Sequence, residues 1–132
     1  MTLVDTSAWI EFLRPHGEKS FKERIAVLID TDSSAYTCPI YFELLLGARP
    51  HEESNVNDVL THSRRFYFAN RHWALAVKLG RQLRKSGVTV PSNDLFVAAV
   101  AISERLQILH KDEHFPLMKK VLGNELRLEV MI

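Results

Sequence analysis

The chain holds a single cysteine, Cys38, among 132 residues. An intramolecular disulfide framework and a cysteine-rich zinc centre are therefore excluded, and a reducing cytoplasm is the expected setting. No segment approaches the roughly 20 consecutive apolar residues that a membrane-spanning helix needs. No basic N-terminal stretch leads into a long apolar run, so neither export nor membrane attachment is expected. Gly47, Gly80, Gly87 and Gly123 stand isolated, which leaves no glycine-rich phosphate loop. A large excess of charge is missing as well, because a formal net charge of +1 gives no general attraction to nucleic acid. Basic residues gather only locally, in Lys19, Lys22 and Arg24, in Arg64, Arg65 and Arg71, and in Arg81, Arg84 and Lys85. Such clusters are ordinarily solvated helix faces.

What the chain does have is an alternation of strand and helix signals along its length, the pattern of an α/β fold with helices on both faces of a central, mainly parallel sheet of four to five strands. Strands are expected at Met1–Val4, Ala35–Cys38 and Leu106–Leu109, with Leu126, Leu128 and Val130 alternating as a final edge strand. Helices are expected over Ser7–Leu13, capped by Thr6 or Ser7, and over Phe21–Ile29, where apolar residues fall at helical spacing. Further helices follow from Pro39 to Gly47, from Glu53 to Arg64, from His72 to Ser86, across the alanine-rich run Leu95–Ile102, and over Phe115–Leu122. The segment Phe66–Ala69 reads equally as a helix end or a short extended piece, and Val88–Val90 as a strand or a linker. With no repeat, low-complexity tract or linker, residues 1–132 are expected to form one domain.

Four acids mark the ends of these elements. Asp5 follows Thr2-Leu3-Val4 and Asp112 follows Leu106–Lys111, both reading as carboxylates at the C-terminal tips of strands. Glu43 and Asp94 each lie just past an X-Pro step, at Pro39 and Pro91, and are expected in first turns of helices. Taken singly, Asp5 could be a helix cap, Asp94 an acid favoured by the helix dipole, and Asp112 the start of a turn. Glu43 is different, because Phe42, Leu44, Leu45 and Leu46 surround it and an unpaired charge near an apolar face is costly. Four carboxylates in one crevice repel one another, and a hard divalent cation with oxygen ligands, Mg²⁺ or Mn²⁺, relieves that repulsion. Such an ion activates water and steadies a phosphate in in-line displacement, so the expected chemistry is phosphoester hydrolysis at the carboxyl ends of the strands.

The motifs Val4-Asp5-Thr6-Ser7, Phe42-Glu43-Leu44-Leu45-Leu46-Gly47, Pro91 with Asp94 and Val97-Ala98-Ala99, and His110-Lys111-Asp112-Glu113-His114-Phe115, in this order, resemble the PIN-domain family, and within it the VapC-type ribonuclease toxins of prokaryotic toxin–antitoxin pairs. The resemblance runs from residue 3 to about residue 130. It implies a three-layer α/β/α fold and a metal-dependent endoribonuclease that cuts RNA. It implies a cognate antitoxin as partner and a homodimer. Asp5, Glu43, Asp94 and Asp112 would be its catalytic, metal-coordinating acids, with Ser7 placing a hydroxyl near the metal or phosphate. His114 departs from the family pattern, which often carries an acid or asparagine there, so a second metal position is expected to be weaker.

Two other classes compete. A phosphatase of the haloacid-dehalogenase type needs a second aspartate two residues after its nucleophile, where this chain has Ser7, and a phosphoacceptor receiver needs adjacent early acids. A non-catalytic binding module would use the acids only structurally. Zinc is disfavoured, since Lys111 occupies the position that an HExxH motif gives to glutamate between His110 and His114. Arg14, Lys111 or one of the arginine clusters is expected to rim the crevice. Trp9, Phe12, Phe21–Ile29 and Leu44–Ala48 are the apolar stretches from which a dimer face is expected.

Overall fold

The computed structural model describes residues 1–131. Five strands, β1 (Thr2–Val4), β2 (Ser34–Thr37), β3 (Arg64–Phe66), β4 (Gln107–Leu109) and β5 (Arg127–Leu128), form one sheet in the order β3-β2-β1-β4-β5. Every pairing is parallel. Seven α-helices connect them: α1 (Thr6–Leu13), α2 (Lys19–Asp30), α3 (Cys38–Gly47), α4 (Glu53–Thr61), α5 (Asn70–Lys85), α6 (Ser92–Glu104) and α7 (His114–Leu122). With this strand order, the right-handed rule for parallel crossovers puts α1–α4 on one face and α5–α7 on the other, in keeping with the packing of α1 on α2 and α3, and of α5, α6 and α7 on one another. The expected three-layer α/β/α architecture is what forms.

The central strands explain the composition of the core. Leu3, Val4, Ile108 and Leu109 are fully buried, as a parallel sheet covered on both faces requires. Helix α6 buries Val97 through Ala101, and its three alanines let it lie close in among its neighbours. Trp9, Ile25, Phe115 and Met118 complete the core, each with no exposed surface. Trp9, Phe21 and Ile25 thus point inward and offer no dimer face; Leu46 is the member of the expected apolar set that is most exposed, at 73%.

Several local expectations are corrected. The cap of α1 is neither Thr6 nor Ser7 but Asp5, whose Oδ2 accepts the Ser7 N–H at 3.1 Å. Helix α4 stops at Thr61, which frees Arg64–Phe66 to pair in parallel with Ala35–Thr37 as an edge strand. Val88–Val90 remains an unpaired linker. Strand β5 is shorter than the alternation suggests: β4 offers only three residues, Glu129 N–H makes a last bond to the Ile108 carbonyl at 2.8 Å, and Val130 is already exposed. Among the described residues no helix is long and apolar enough to cross a membrane.

Candidate metal centre

Strand order reverses around β1, with β2 on one side and β4 on the other, so the crevice beyond the carboxyl ends of these strands is a topological switch point. Asp5 leaves β1 directly into that crevice, its backbone N–H bonded to the Leu109 carbonyl of β4 at 2.9 Å. Asp112 lies three residues past the end of β4. Asp94 sits in the first turn of α6, a helix that leads into β4 and so begins on this same side. Glu43 arrives from α3, which follows β2, but in the second turn rather than the first, because α3 already starts at Cys38.

Hydrogen bonds tie these arrivals together. Thr6 Oγ1 donates to Glu43 Oε1 at 2.8 Å, joining α1 to α3. Ser7 Oγ donates to Asp5 Oδ2 at 2.6 Å and accepts the Lys111 N–H at 2.9 Å, joining α1 to the loop after β4. The His114 N–H donates to Asp112 Oδ1 at 2.9 Å, which fixes that carboxylate at the start of α7. The His114 side chain then bridges two acids, its Nδ1 standing 2.7 Å from Asp112 Oδ1 and 3.1 Å from Asp94 Oδ2. Ligating atoms of Asp94, Asp112 and His114 all lie within 4.8 Å of one another.

Burial and like charge shape the protonation of this group. Asp94 is only 8% exposed; loss of solvent, the charge and hydrogen bond of Asp112, and the charge of Asp5 push its pKa up to about 7, against the pull of His114. Asp5, 3% exposed, is raised to about 6, first by burial and then by Glu43 and Asp112, with the Ser7 hydrogen bonds opposing. Burial also opposes ionisation of Asp112, yet the His114 N–H, the hydrogen bond with Asp94 and the His114 side chain outweigh it and hold that carboxyl below the usual range. Asp5 thus senses the charge of Glu43 and Asp112, and Asp94 that of Asp112 and Asp5. Asp94 Oδ2 and His114 Nδ1 are both shut off from solvent without a well-angled hydrogen bond. Two orphaned buried atoms 3.1 Å apart, with an Asp112 carboxylate oxygen 2.7 Å from one of them, fit a divalent cation.

The same shifts set a pH dependence. Asp94 and Asp5 hold protons in the folded chain at pH values where the unfolded chain, with an aspartate value of 3.8, has released them. Their contribution to stability is thus present below about pH 4 and lost as pH rises toward 6 and 7. Without divalent metal, Asp94→Asn should gain stability relative to wild type as pH rises from about 4 to about 7, by on the order of 1 kcal/mol or more. Thermal melts of both proteins in chelator across that range check this; a constant difference would contradict it.

Two features escape a reading of the chain alone. Glu11, 4% exposed, accepts the Glu18 N–H at 3.0 Å, the Arg14 guanidinium at 2.7 Å and Lys111 Nζ at 3.3 Å. The signal was a lone acid inside Trp9-Ile10-Glu11-Phe12-Leu13. Arg14 and Lys111 do stand near the crevice, as expected of a basic rim, but both are already ion-paired, Lys111 also with Glu18 at 3.1 Å. His110 takes no part in the cluster through Nδ1, which accepts the Asp112 N–H at 3.2 Å. Beside Glu43 opens a groove of about 240 Å³ lined by Ile10, Leu13, Arg14, Leu44 and Val56 among others.

Comparison with known proteins agrees with this fold. The PIN domain family profile matches residues 2–121. The VapC ribonuclease Mb1587 of Mycobacterium bovis and Ribonuclease VapC11 of Mycobacterium tuberculosis are each 30% identical over 125 residues, spanning 92% of this chain and 93% of theirs. The structure of VapBC2 from Rickettsia felis bound to a DNA fragment from its promoter contains a chain of the same fold, with a TM-score of 0.81 at 19% identity, covering 97% of this chain and 96% of that one. By sequence profile, near-full-length relatives and sheet topology together, the chain belongs to the PIN-domain family.

Proposed function

We propose that this chain is a metal-dependent endoribonuclease toxin that hydrolyses RNA phosphodiester bonds in the cytoplasm and is held inactive by a cognate antitoxin, with residues 1–132 acting as one PIN domain. The observation that carries the proposal is the mutually repelling cluster of the buried Asp5 and Asp94 with the half-buried Asp112, and Glu43 beside Asp5, at the switch point of a PIN-family sheet. Relatives named as VapC ribonucleases supply the substrate class, and the VapBC complex supplies the kind of partner.

In this reading Asp5, Glu43, Asp94 and Asp112 hold Mg²⁺ or Mn²⁺. When bound, such an ion lowers the pKa of a water and offsets charge building on the phosphate in the transition state. The chain's own contribution is orientation. Ser7 is best described as a positioning residue: its hydroxyl is spent on Asp5 and on the Lys111 N–H, so it fixes one acid against the loop that carries another. Thr6 does the same for Glu43. Burial of Asp5 and Asp94 keeps bulk water from screening the charges there. Lys111 and Arg14 supply positive charge for the RNA backbone beside the crevice, tempered by their pairing to Glu11.

An inhibitor must cover the acids, and the apolar groove that opens beside Glu43 gives an antitoxin segment a place to bind in reach of them. A homodimer belongs to the proposal; Phe42, Leu46, Trp73 and Val77, each at least half exposed, are the apolar surface open to it. The phosphatase alternative gains nothing, because Ser7 stands where its second acid belongs and is bonded to Asp5. A growth assay tests the whole reading. Induction of the wild-type chain should arrest growth of a bacterial host, induction of Asp94→Asn should not, and co-expression of the antitoxin should restore growth. Equal growth with wild type and variant at equal protein levels would overturn it.

A further inference from the structure

The cluster contains one ligand type that an all-carboxylate site lacks. We infer that His114 binds the metal directly through Nδ1, beside Asp94 and Asp112, and so turns an all-oxygen site into a mixed nitrogen and oxygen site that favours Mn²⁺ over Mg²⁺. This inference rests on the reading of the acids as a metal site.

Distances carry the argument. Neighbouring ligand atoms on an octahedral ion of this size, bound at about 2.1 Å, stand about 3 Å apart. His114 Nδ1 stands 2.7 Å from Asp112 Oδ1 and 3.1 Å from Asp94 Oδ2, so both spacings match adjacent corners of one octahedron. Neither contact is a well-angled hydrogen bond: the Nδ1 and the Asp94 Oδ2 are both buried and without a hydrogen-bond partner. Asp94, only 8% exposed, aims an unpartnered oxygen into the space that the imidazole nitrogen also faces. The backbone helps: the His114 N–H holds Asp112 Oδ1 at 2.9 Å, so one residue orients an acid ligand and adds its own side-chain nitrogen.

Ligand chemistry gives the preference. Mg²⁺ takes oxygen donors and parts reluctantly with water, whereas imidazole suits first-row transition ions, of which Mn²⁺ also accepts several carboxylates. A histidine in place of an acid also leaves the site with one negative charge fewer, which lowers affinity for a hard ion bound mainly by charge.

Two measurements on the metal-free protein decide it, and neither depends on activity. Calorimetric titration should give wild type a Mn²⁺ to Mg²⁺ affinity ratio that falls by about tenfold or more in His114→Asp. Pulsed electron paramagnetic resonance of bound Mn²⁺ should show coupling to a nitrogen nucleus in wild type, retained in His110→Gln and absent in His114→Asn. Because the wild-type spectrum alone is informative, the inference stays testable if a His114 variant misfolds. Saturable Mn²⁺ binding that is lost in Asp94→Asn, but shows no nitrogen coupling and an affinity ratio unchanged in His114→Asp, would overturn histidine ligation while leaving the metal site standing. Failure of the wild type to bind Mn²⁺ or Mg²⁺ at millimolar concentration would overturn both.

Discussion

Asp94→Asn should cut RNA at least about a hundredfold more slowly than wild type, a loss of about 2.7 kcal/mol or more of transition-state stabilisation. The expectation follows from where the carboxylate sits. Its Oδ2 is buried, unpartnered and aimed at the point shared with His114 and Asp112, so the amide nitrogen of an asparagine would present a donor where a cation belongs. Folding should survive the change. A group whose pKa is pushed up to about 7 by burial and neighbouring acids is one that the folded chain holds at a cost when ionised, and its neutral replacement relieves that repulsion. Single-turnover cleavage of a labelled RNA, with circular dichroism melts of both proteins at pH 7.5 or so, reads the two halves separately. A variant that melts well below wild type would mean that Asp94 serves the fold, and a variant that cuts as fast would mean that it does not serve the chemistry.

The largest effect on stability is expected outside the acid cluster, at Gly17. The turn between α1 and α2 folds back over the end of α1, so closely that a Cβ at Gly17 would stand 1.7 Å from the Glu11 carbonyl oxygen and 2.6 Å from its carbon. Both are backbone atoms, so no rotamer change can relieve the overlap. In Gly17→Ala the turn must lift away, and with it the Glu18 N–H that bonds Glu11 Oε1 at 3.0 Å. Glu11 would then keep its burial and lose a donor, a change that costs roughly 1–3 kcal/mol by itself and more with the displaced backbone. A fall in melting temperature of about 10 °C or more is the expected result, at roughly 3–6 °C per kcal/mol for a chain of this size. Gly47→Ala is the control, since a Cβ there meets nothing within 4 Å in the last turn of α3, and it should be neutral or slightly stabilising. A Gly17→Ala protein that melts with the wild type would contradict the close approach.

The elements that were legible in the chain are those with a long period or a hard stop. Pro39 and Pro91 mark the openings of α3 and α6, and the spacing of Phe21, Ile25 and Leu28 marks α2. Asp5 could be placed because a carboxylate straight after an apolar strand has few other places to go, and Asp112 because only His110 and Lys111 separate it from the run that ends at Leu109. Strand β3 could not be recognised, because Arg64-Arg65-Phe66 has no alternation and its pairing depends on β2, 29 residues away. Asp5, Thr6 and Ser7 are all good caps locally, so the choice among them rests on the register of β1 against β4, which turns the corner at Asp5. His114 could be identified as a departure from the family pattern, but its chemistry needed the distance to Asp94, a residue twenty positions earlier on a different helix. The lone acid Glu11 in an apolar run signals a buried partner, but which partner depends on Lys111, 100 residues further along the chain.

The measurement that bears most directly on the central claim is RNA cleavage by the purified wild-type protein in excess EDTA, followed by addition of Mg²⁺ or Mn²⁺ to the same sample. Cleavage should fall to the level of Asp94→Asn in the chelator and return when either ion is supplied, with both halves repeated in protein whose circular dichroism spectrum is unchanged by the treatment. Undiminished cleavage in excess EDTA would contradict the account, whatever the fold.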